Sequence, residues 1–274
     1  MVRTQPKGGG HFMVTGHPLA SASTIADIRS YPWPDPSDPG LTRGLRAKAL
    51  ALREETGCCL IANLPRCMIH EAKDMRGFEQ WMVDMALDRP FAEYLLDTIL
   101  DISIEMAGRM LSETGDIADV VYLQDDFAGQ SGPLIPPSMY REIIKPRHAR
   151  LIEVIKQHTS ARILYHSCGA VGDFLEDFIE IGVDAVNPVQ VSAAGMDTKV
   201  LKKRFHGRLA FWGTIDSQQA LSQGTERDIE REVSRRIGDL ASGGGYVLAI
   251  VHNIQDDVPP ENVVAMFRSA QSPA

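Results

Sequence analysis

The 274-residue sequence holds no run of about 18 or more apolar residues, so nothing in it reads as a membrane-spanning helix. The opening stretch MVRTQPKGGGHF lacks the apolar centre of a signal peptide, which leads us to expect a cytoplasmic protein. Cysteine is scarce. The four present include the adjacent pair Cys58 and Cys59, a poor disulfide framework that suits a reducing compartment. Basic residues are outnumbered, 28 Lys and Arg against 36 Asp and Glu, for a net charge of -8. That balance argues against a nucleic-acid backbone or an anionic membrane as the main partner, since both favour basic surfaces. No glycine-rich phosphate turn follows an expected strand, and GGGHF at 8–12 has no strand before it.

Against these absences stands a regular alternation of apolar runs and amphipathic segments. Residues 1–40 read as an irregular lead-in, because the closely spaced prolines of YPWPDPSDPG exclude helix. The remainder, 41–274, reads as a single domain. LTRGLRAKALALREETG has a helical pattern, CCLIANLP reads as a buried strand, and helices fill about 76–114 before the strand DVVYL. A helix is expected from Pro137 to Thr159, kinked at Pro146. Thereafter ARILYH, DAVNPVQ, RLAFWGTID and GYVLAIVHN alternate with helical segments. Such alternation implies parallel pairing, and the continuous apolarity of the runs implies a sheet covered on both faces.

Polar residues collect where the apolar runs stop: Asp125, Asp126, His166, Cys168, Asn187, Gln190, Asp216, His252 and Asn253. A site assembled from many strand ends is the habit of a (β/α)8 barrel, whereas an open sheet concentrates its ligand at one switch point. An α/β, TIM-like barrel is therefore expected. Only about six good strands can be counted, and the first 55 or so residues hold no convincing βα unit. The short stretch HSCG carries the strongest chemical signal. Successive strand residues point to opposite faces, so His166 and Cys168 share a face and could bind a metal, while Ser167 points away. The alternative is that His166 caps a strand and Cys168 packs as a small apolar residue.

The stretches GHPLA, DDFAGQSGPLIPPSMYREIIKPRHARLI, HSCGAV, GVDAVNPVQVSAAGMD, LAFWGTIDSQ and GGGYVLAIVHNIQDDVPPENV, in this order, resemble the uroporphyrinogen decarboxylase superfamily. More narrowly they resemble its methyltransferase-type branch, the corrinoid-linked enzymes of one-carbon metabolism. The likeness runs from about residue 10 to the end and implies a distorted TIM barrel with its cleft at the C-terminal rim. Against the family pattern the chain looks to lack the N-terminal segment and the first barrel strand, which leads us to expect an open strand edge and a homo-oligomer.

The resemblance implies two chemistries. In the zinc-dependent corrinoid methyltransferases a His-x-Cys and a later cysteine bind zinc, which activates a substrate thiol for methylation by methylcobalamin carried on a corrinoid protein. His166 and Cys168 match the first two ligands. The third falls in AIVHNIQ, where His252 is the nearest competent side chain, with Asp125 or Asp126 as substitutes. The resemblance also implies methyl transfer to a pterin without metal, which would make Asp125, Asp126, Asn187 and Asp216 pterin or substrate contacts. On this basis Asp125, Asp126 and Asp216 are the candidate catalytic residues, and Gln130, Asn187, Gln190 and Asn253 the candidate substrate contacts.

Porphyrinogen decarboxylation, the runner-up, needs arginines to bind many carboxylates, and the family's N-terminal arginine-rich motif has no counterpart here. Only Arg141, Lys145 and Arg147 cluster, on what reads as a solvated helix face. A non-catalytic binding or assembly subunit is the remaining class. Cys58, Cys59, Cys67 and His70 superficially suggest a metal cluster, but adjacent strand residues face opposite ways, so all three cysteines read as core. TERDIEREVSRR reads as an outer helix face.

Overall fold

The computed structural model describes residues 2–4, 13–65 and 67–271; the GGGHF stretch at 8–12 lies outside them. The chain packs as two compact units, Met1–Asp125 with Ser138–Ile163, and Asp126–Pro137 with Leu164–Ala274. Among the described residues no helix is long and apolar enough to cross a membrane.

In the first unit, β1 (Val2–Thr4) pairs antiparallel with β2 (Met13–Gly16). A helix follows at Ile25–Ser30, opened by a capping box in which Asp27 N donates to Thr24 Oγ1 and Thr24 N to Asp27 Oδ2. The lead-in is thus less irregular than its prolines suggest, since those prolines begin only after this helix has ended. After the helix Leu45–Glu55 comes β3 (Ile61–Asn63), parallel to β4 (Val120–Gln124) with Ile61 opposite Val120. Because β3 begins only at Ile61, Cys58 and Cys59 precede it and are exposed, contrary to the expectation of core residues; Cys67 is buried. The expected helical stretch divides into Met68–Arg76, Phe78–Leu87 and Arg89–Thr114. Gly77, at φ 88, makes the first break, a backbone angle that side-chain-bearing residues rarely adopt. The longest helix buries Leu96, Leu100, Ala107 and Leu111, spaced for one face.

Where a kink at Pro146 is expected, the structure shows a local widening of the helix. Pro146 has no N–H to give to the carbonyl four residues back, and the preceding turn, Tyr140–Ile144, is π-helical, with Lys145 N bonding back to Tyr140 O before the helix Lys145–His158 continues.

The second unit takes β5 (Arg162–His166) from Leu164 onward, then β6 (Ala185–Asn187), β7 (Ala210–Trp212) and β8 (Tyr246–Val247). These strands lie in chain order and all pair in parallel. Helices Leu175–Glu180, Thr198–Phe205, Glu226–Leu240 and Pro260–Gln271 alternate with them. Tyr165 and Phe127 pack on Phe178 and Phe174 with centroids 4.8 and 4.9 Å apart. Ile229 and Val233 pack with Ile215, Val258 and Met266, leaving the charged side of their helix outward as its pattern requires. GYVLAIVHN forms a shorter strand than its apolarity suggests. Ala249 O accepts from both Thr214 N and Ile215 N, at 2.9 and 3.0 Å, which interrupts the regular ladder beyond Val247.

One polar knot fastens residues 19–22 to the helices of the first unit. Arg76, 6% exposed, bonds Asp84 Oδ2 at 2.6 Å and the carbonyls of Leu19, Ala20 and Ala22 at 2.6, 3.1 and 2.6 Å, with its guanidinium 4.8 Å from the Phe91 ring centroid. Removing one member of a buried pair strands the other charge, so Arg76→Met should lower unfolding free energy by about 3–5 kcal/mol. Urea unfolding measures this, and limited proteolysis should cut first near residues 19–22. The double variant Arg76→Met, Asp84→Leu should recover part of the loss.

Candidate active site

Strand register places the first contact. His166 ends β5 directly opposite Asn187 at the end of β6. The His166 Nδ1 to Asn187 Oδ1 distance is 2.7 Å, and Asn187 Nδ2 donates to Trp212 O at 3.2 Å. The strand alternation puts Cys168 beside His166, with Sγ 3.5 Å from Nε2. Ser167 points away, is fully buried, and its Oγ has no hydrogen-bond partner among the described residues. Asp126 completes a group of three: its Oδ1 accepts from Cys168 N at 2.7 Å and lies 3.8 Å from His166 Nε2. One ligand atom from each of Asp126, His166 and Cys168 lies within 4.8 Å of the other two.

This donor set fits a zinc ion. With zinc–sulfur and zinc–nitrogen bonds of about 2.3 and 2.0 Å at a tetrahedral angle, sulfur and nitrogen stand about 3.5 Å apart, matching the separation found here. Three protein ligands of mixed N, O and S type would leave one position for a substrate. Without a cation the thiol is poorly poised: burial first, then the charge of Asp126, push Cys168 up to about 12.

A turn of close backbone packing brings Asp126 to the other two. Leu134 N bonds Phe127 O and Gly129 N bonds Gly132 O, both at 2.8 Å, closing residues 127–134 into a small loop. Ala170 N then donates to Gly129 O at 2.8 Å, docking the loop on the HSCGA turn. Gly169 sits at φ 92, and a Cβ there would lie 2.6 Å from Ala128 O and 2.7 Å from Gly129 O. Only glycine permits that approach.

Two amide side chains adjoin this group, Asn187 at His166 and Gln190 at the Gly169 backbone. Gln190, 8% exposed, accepts from Gly169 N through Oε1 at 2.7 Å, turning its NH₂ away from that peptide. Gln130 Nε2 donates to Gln218 Oε1 at 2.7 Å, while Gln218 N donates to Asp216 Oδ1 at 2.9 Å. Asp216 also lines a cleft of about 530 Å³ with Val191, Ser192 and Gln219. Gln218 and Ser192 belong to this rim and are not singled out by sequence; the position of Gln218 just after TID, where the apolar run ends, is the available signal. His252 and Asn253 lie on an exposed bend, with His252 Nδ1 3.4 Å from Asn253 O, and His252 is not in the three-residue group.

Asp125 has a different environment from its neighbour. Fully buried in the first unit, it accepts from Ile69 N at 3.0 Å and His70 N at 2.7 Å, and lies 3.2 Å from His148 Nε2. Its carboxylate therefore caps the N-terminus of the helix Met68–Arg76.

Two outcomes follow from this geometry. Thiolate is the form that alkylates, so in chelator-treated protein Cys168 should react with iodoacetamide far more slowly at pH 7.5 than exposed Cys58, its rate rising about tenfold per pH unit toward 12. Peptide mass spectrometry resolves the two sites. Gly169→Ala should cost about 1–3 kcal/mol of stability and disturb the loop carrying Asp126, a loss read by urea unfolding.

Comparison with known proteins agrees with this architecture. The family profile described as uroporphyrinogen decarboxylase (URO-D) matches residues 64–272. A uroporphyrinogen decarboxylase of Legionella pneumophila (strain Corby) is 23% identical over 205 residues, 74% of this chain and 54% of that one. Another, from Methylobacillus flagellatus, is 30% identical over 105 residues, 37% of this chain and 27% of that one. The chain spans about half the length of the first of these curated relatives. Among solved structures, a methyltransferase from Methanosarcina mazei superposes with a TM-score of 0.71 at 21% identity, covering 98% of this chain and 74% of that one. The β-glucosidase from Pyrococcus furiosus reaches a TM-score of 0.53 at 12% identity, covering 98% and 76%. The shared fold is of the α/β, TIM-like class.

Proposed function

The chain belongs to the uroporphyrinogen decarboxylase family, and within it we propose that the protein is a methyltransferase that moves a methyl group between a corrinoid protein and a thiol or pterin acceptor. The observation that carries this reading is the convergence of Asp126, His166 and Cys168. A carboxylate, an imidazole and a thiol so close together suit a thiophilic divalent cation better than they suit a tetrapyrrole. The fold likeness to the Methanosarcina mazei methyltransferase supports the same branch of the family.

Asp126, His166 and Cys168 would hold zinc, which when bound supplies a Lewis acid that lowers the pKa of a substrate thiol. The protein's own groups then have defined tasks. His166 offers Nε2, Cys168 must give up its proton to act as a ligand, and the Cys168 N–H fixes the Asp126 carboxylate in place. Gln190, Gln130, Gln218 and Asp216 present amide and carboxylate groups suited to a polar acceptor. Methyl transfer to a thiolate forms one carbon–sulfur bond and breaks one carbon–cobalt bond, whose electron pair stays with the corrinoid cobalt.

Decarboxylation of a porphyrinogen is the second reading, favoured by the sequence relatives, which are uroporphyrinogen decarboxylases. It is the weaker one, because a polycarboxylated substrate requires uncommitted arginines. Arg147, the best buried cation of the expected cluster, is engaged by Asp97 at 2.7 Å and Glu93 at 3.0 Å.

Metal analysis of the purified protein after zinc addition and desalting should give one zinc per chain. Cys168→Ser should abolish zinc retention while leaving the circular dichroism spectrum unchanged. Demethylation of methylcobalamin in the presence of a panel of small thiols, followed by its visible spectrum, should depend on that zinc. Carbon dioxide release from uroporphyrinogen by a protein that retains no metal would reverse the ranking of the two readings.

A further inference from the structure

Asn187 has a more specific position than that of a substrate contact. Its amide is oriented at both ends. Nδ2 donates to the main-chain carbonyl of Trp212 at 3.2 Å, so Oδ1 must be the atom 2.7 Å from His166 Nδ1. A carbonyl oxygen only accepts, and the imidazole must therefore carry its proton on Nδ1. The lone pair of a neutral ring is then on Nε2, the atom facing Cys168 Sγ at 3.5 Å and Asp126 Oδ1 at 3.8 Å. In free histidine the Nε2–H form is the commoner one, so the arrangement selects the minor tautomer and aims its lone pair at the other two groups.

The surroundings favour one orientation of the Asn187 amide. Asn187 and His166 are direct partners in the β5–β6 register, which fixes the distance between their side chains. Gly213, at φ 79, leaves room beneath: a Cβ there would lie 3.1 Å from Asn187 Nδ2 and 2.8 Å from Ile250 O. Reversing the amide would place its oxygen against the Trp212 carbonyl and its NH₂ against a ring nitrogen, trading two hydrogen bonds for an acceptor–acceptor contact.

We propose that Asn187 is the positioning residue that holds His166 as the Nδ1–H tautomer, so that Nε2 stands ready as a ligand beside Asp126 and Cys168. The inference deepens the metal-dependent reading of the site and rests on it for its purpose, although the tautomer itself is a property of the chain alone. The hydrogen bond also orients the ring before any ion arrives, removing rotational freedom that binding would otherwise have to restrict.

Two variants and two measurements test it. In chelator-treated protein carrying ¹⁵N-labelled histidine, the His166 ring nitrogens should report Nδ1–H in the wild type and in Asn187→Asp, whose carboxylate still accepts from Nδ1. Asn187→Leu should shift the ring toward Nε2–H. With Co²⁺ as the probe, thiolate-to-cobalt absorption should titrate in wild type and in Asn187→Asp within a few-fold of each other, and 10–100-fold more weakly in Asn187→Leu. Circular dichroism and thermal melts establish that all three are folded. An Nε2–H signature in the wild type, or an Asn187→Leu ring identical to it, overturns the proposal. Loss of Co²⁺ binding in Asn187→Asp equal to that in Asn187→Leu, with the tautomer preserved, also overturns it, since the amide would then act otherwise than by accepting from Nδ1. Correct tautomers in all three proteins without any cobalt uptake would support the assignment while refuting the metal-dependent reading.

Discussion

Everything at the candidate site depends on the parallel register that sets His166 opposite Asn187. A slip of β5 by one residue would send His166 to the other face of the sheet, away from Asn187. With the pairing fixed, the 2.7 Å contact between them and the 3.5 Å approach of Cys168 follow from strand geometry. The apolar residues of β5 enforce that register: Ile163, Leu164 and Tyr165 are all buried, so slippage would drag large side chains out of the core. The chemistry is thereby supported by packing a few residues away from it.

Strand geometry supplies two of the three converging residues, and a loop supplies the third. Asp126 arrives because residues 127–134 fold onto the HSCGA turn, a contact that Gly169 makes possible by having no side chain. The Cys168 N–H bond to Asp126 means that the backbone of one candidate ligand positions the carboxylate of another. The site therefore couples a rigid part, at the ends of β5 and β6, to a loop whose placement is set by a few hydrogen bonds.

Periodicity made the strand ends legible in the sequence. Apolar runs stopping at His166 and Asn187 mark the strand ends, because a covered strand must be continuously apolar and its rim need not be, whereas the run that stops at Asp216 outlasts its strand, which ends at Trp212. Alternation also put His166 and Cys168 on one face and Ser167 on the other. Loop-borne relations were not legible. Asp125 and Asp126 are chemically identical neighbours, yet one is fully buried against a helix N-terminus and the other faces an imidazole; only the fold distinguishes them. Cys58 and Cys59 belong to an apolar run, but the strand starts two residues later and leaves them in solvent. The GYVLAIVHN run is interrupted by backbone bonding that side-chain patterns do not encode.

The Arg76 knot bears on the order in which the chain can assemble. Its bonds to Leu19 and Ala22 span 57 and 54 residues, and its carboxylate partner, Asp84, lies later still. A ribosome delivers the chain from its N-terminus, so the 19–22 segment is made long before the guanidinium that will satisfy its carbonyls. Those carbonyls must stay hydrated until the Met68–Arg76 and Phe78–Leu87 helices have emerged, and closing the gap costs the entropy of a loop of more than 50 residues. During synthesis the N-terminal segment is therefore a late joiner, docking onto a helical scaffold made after it.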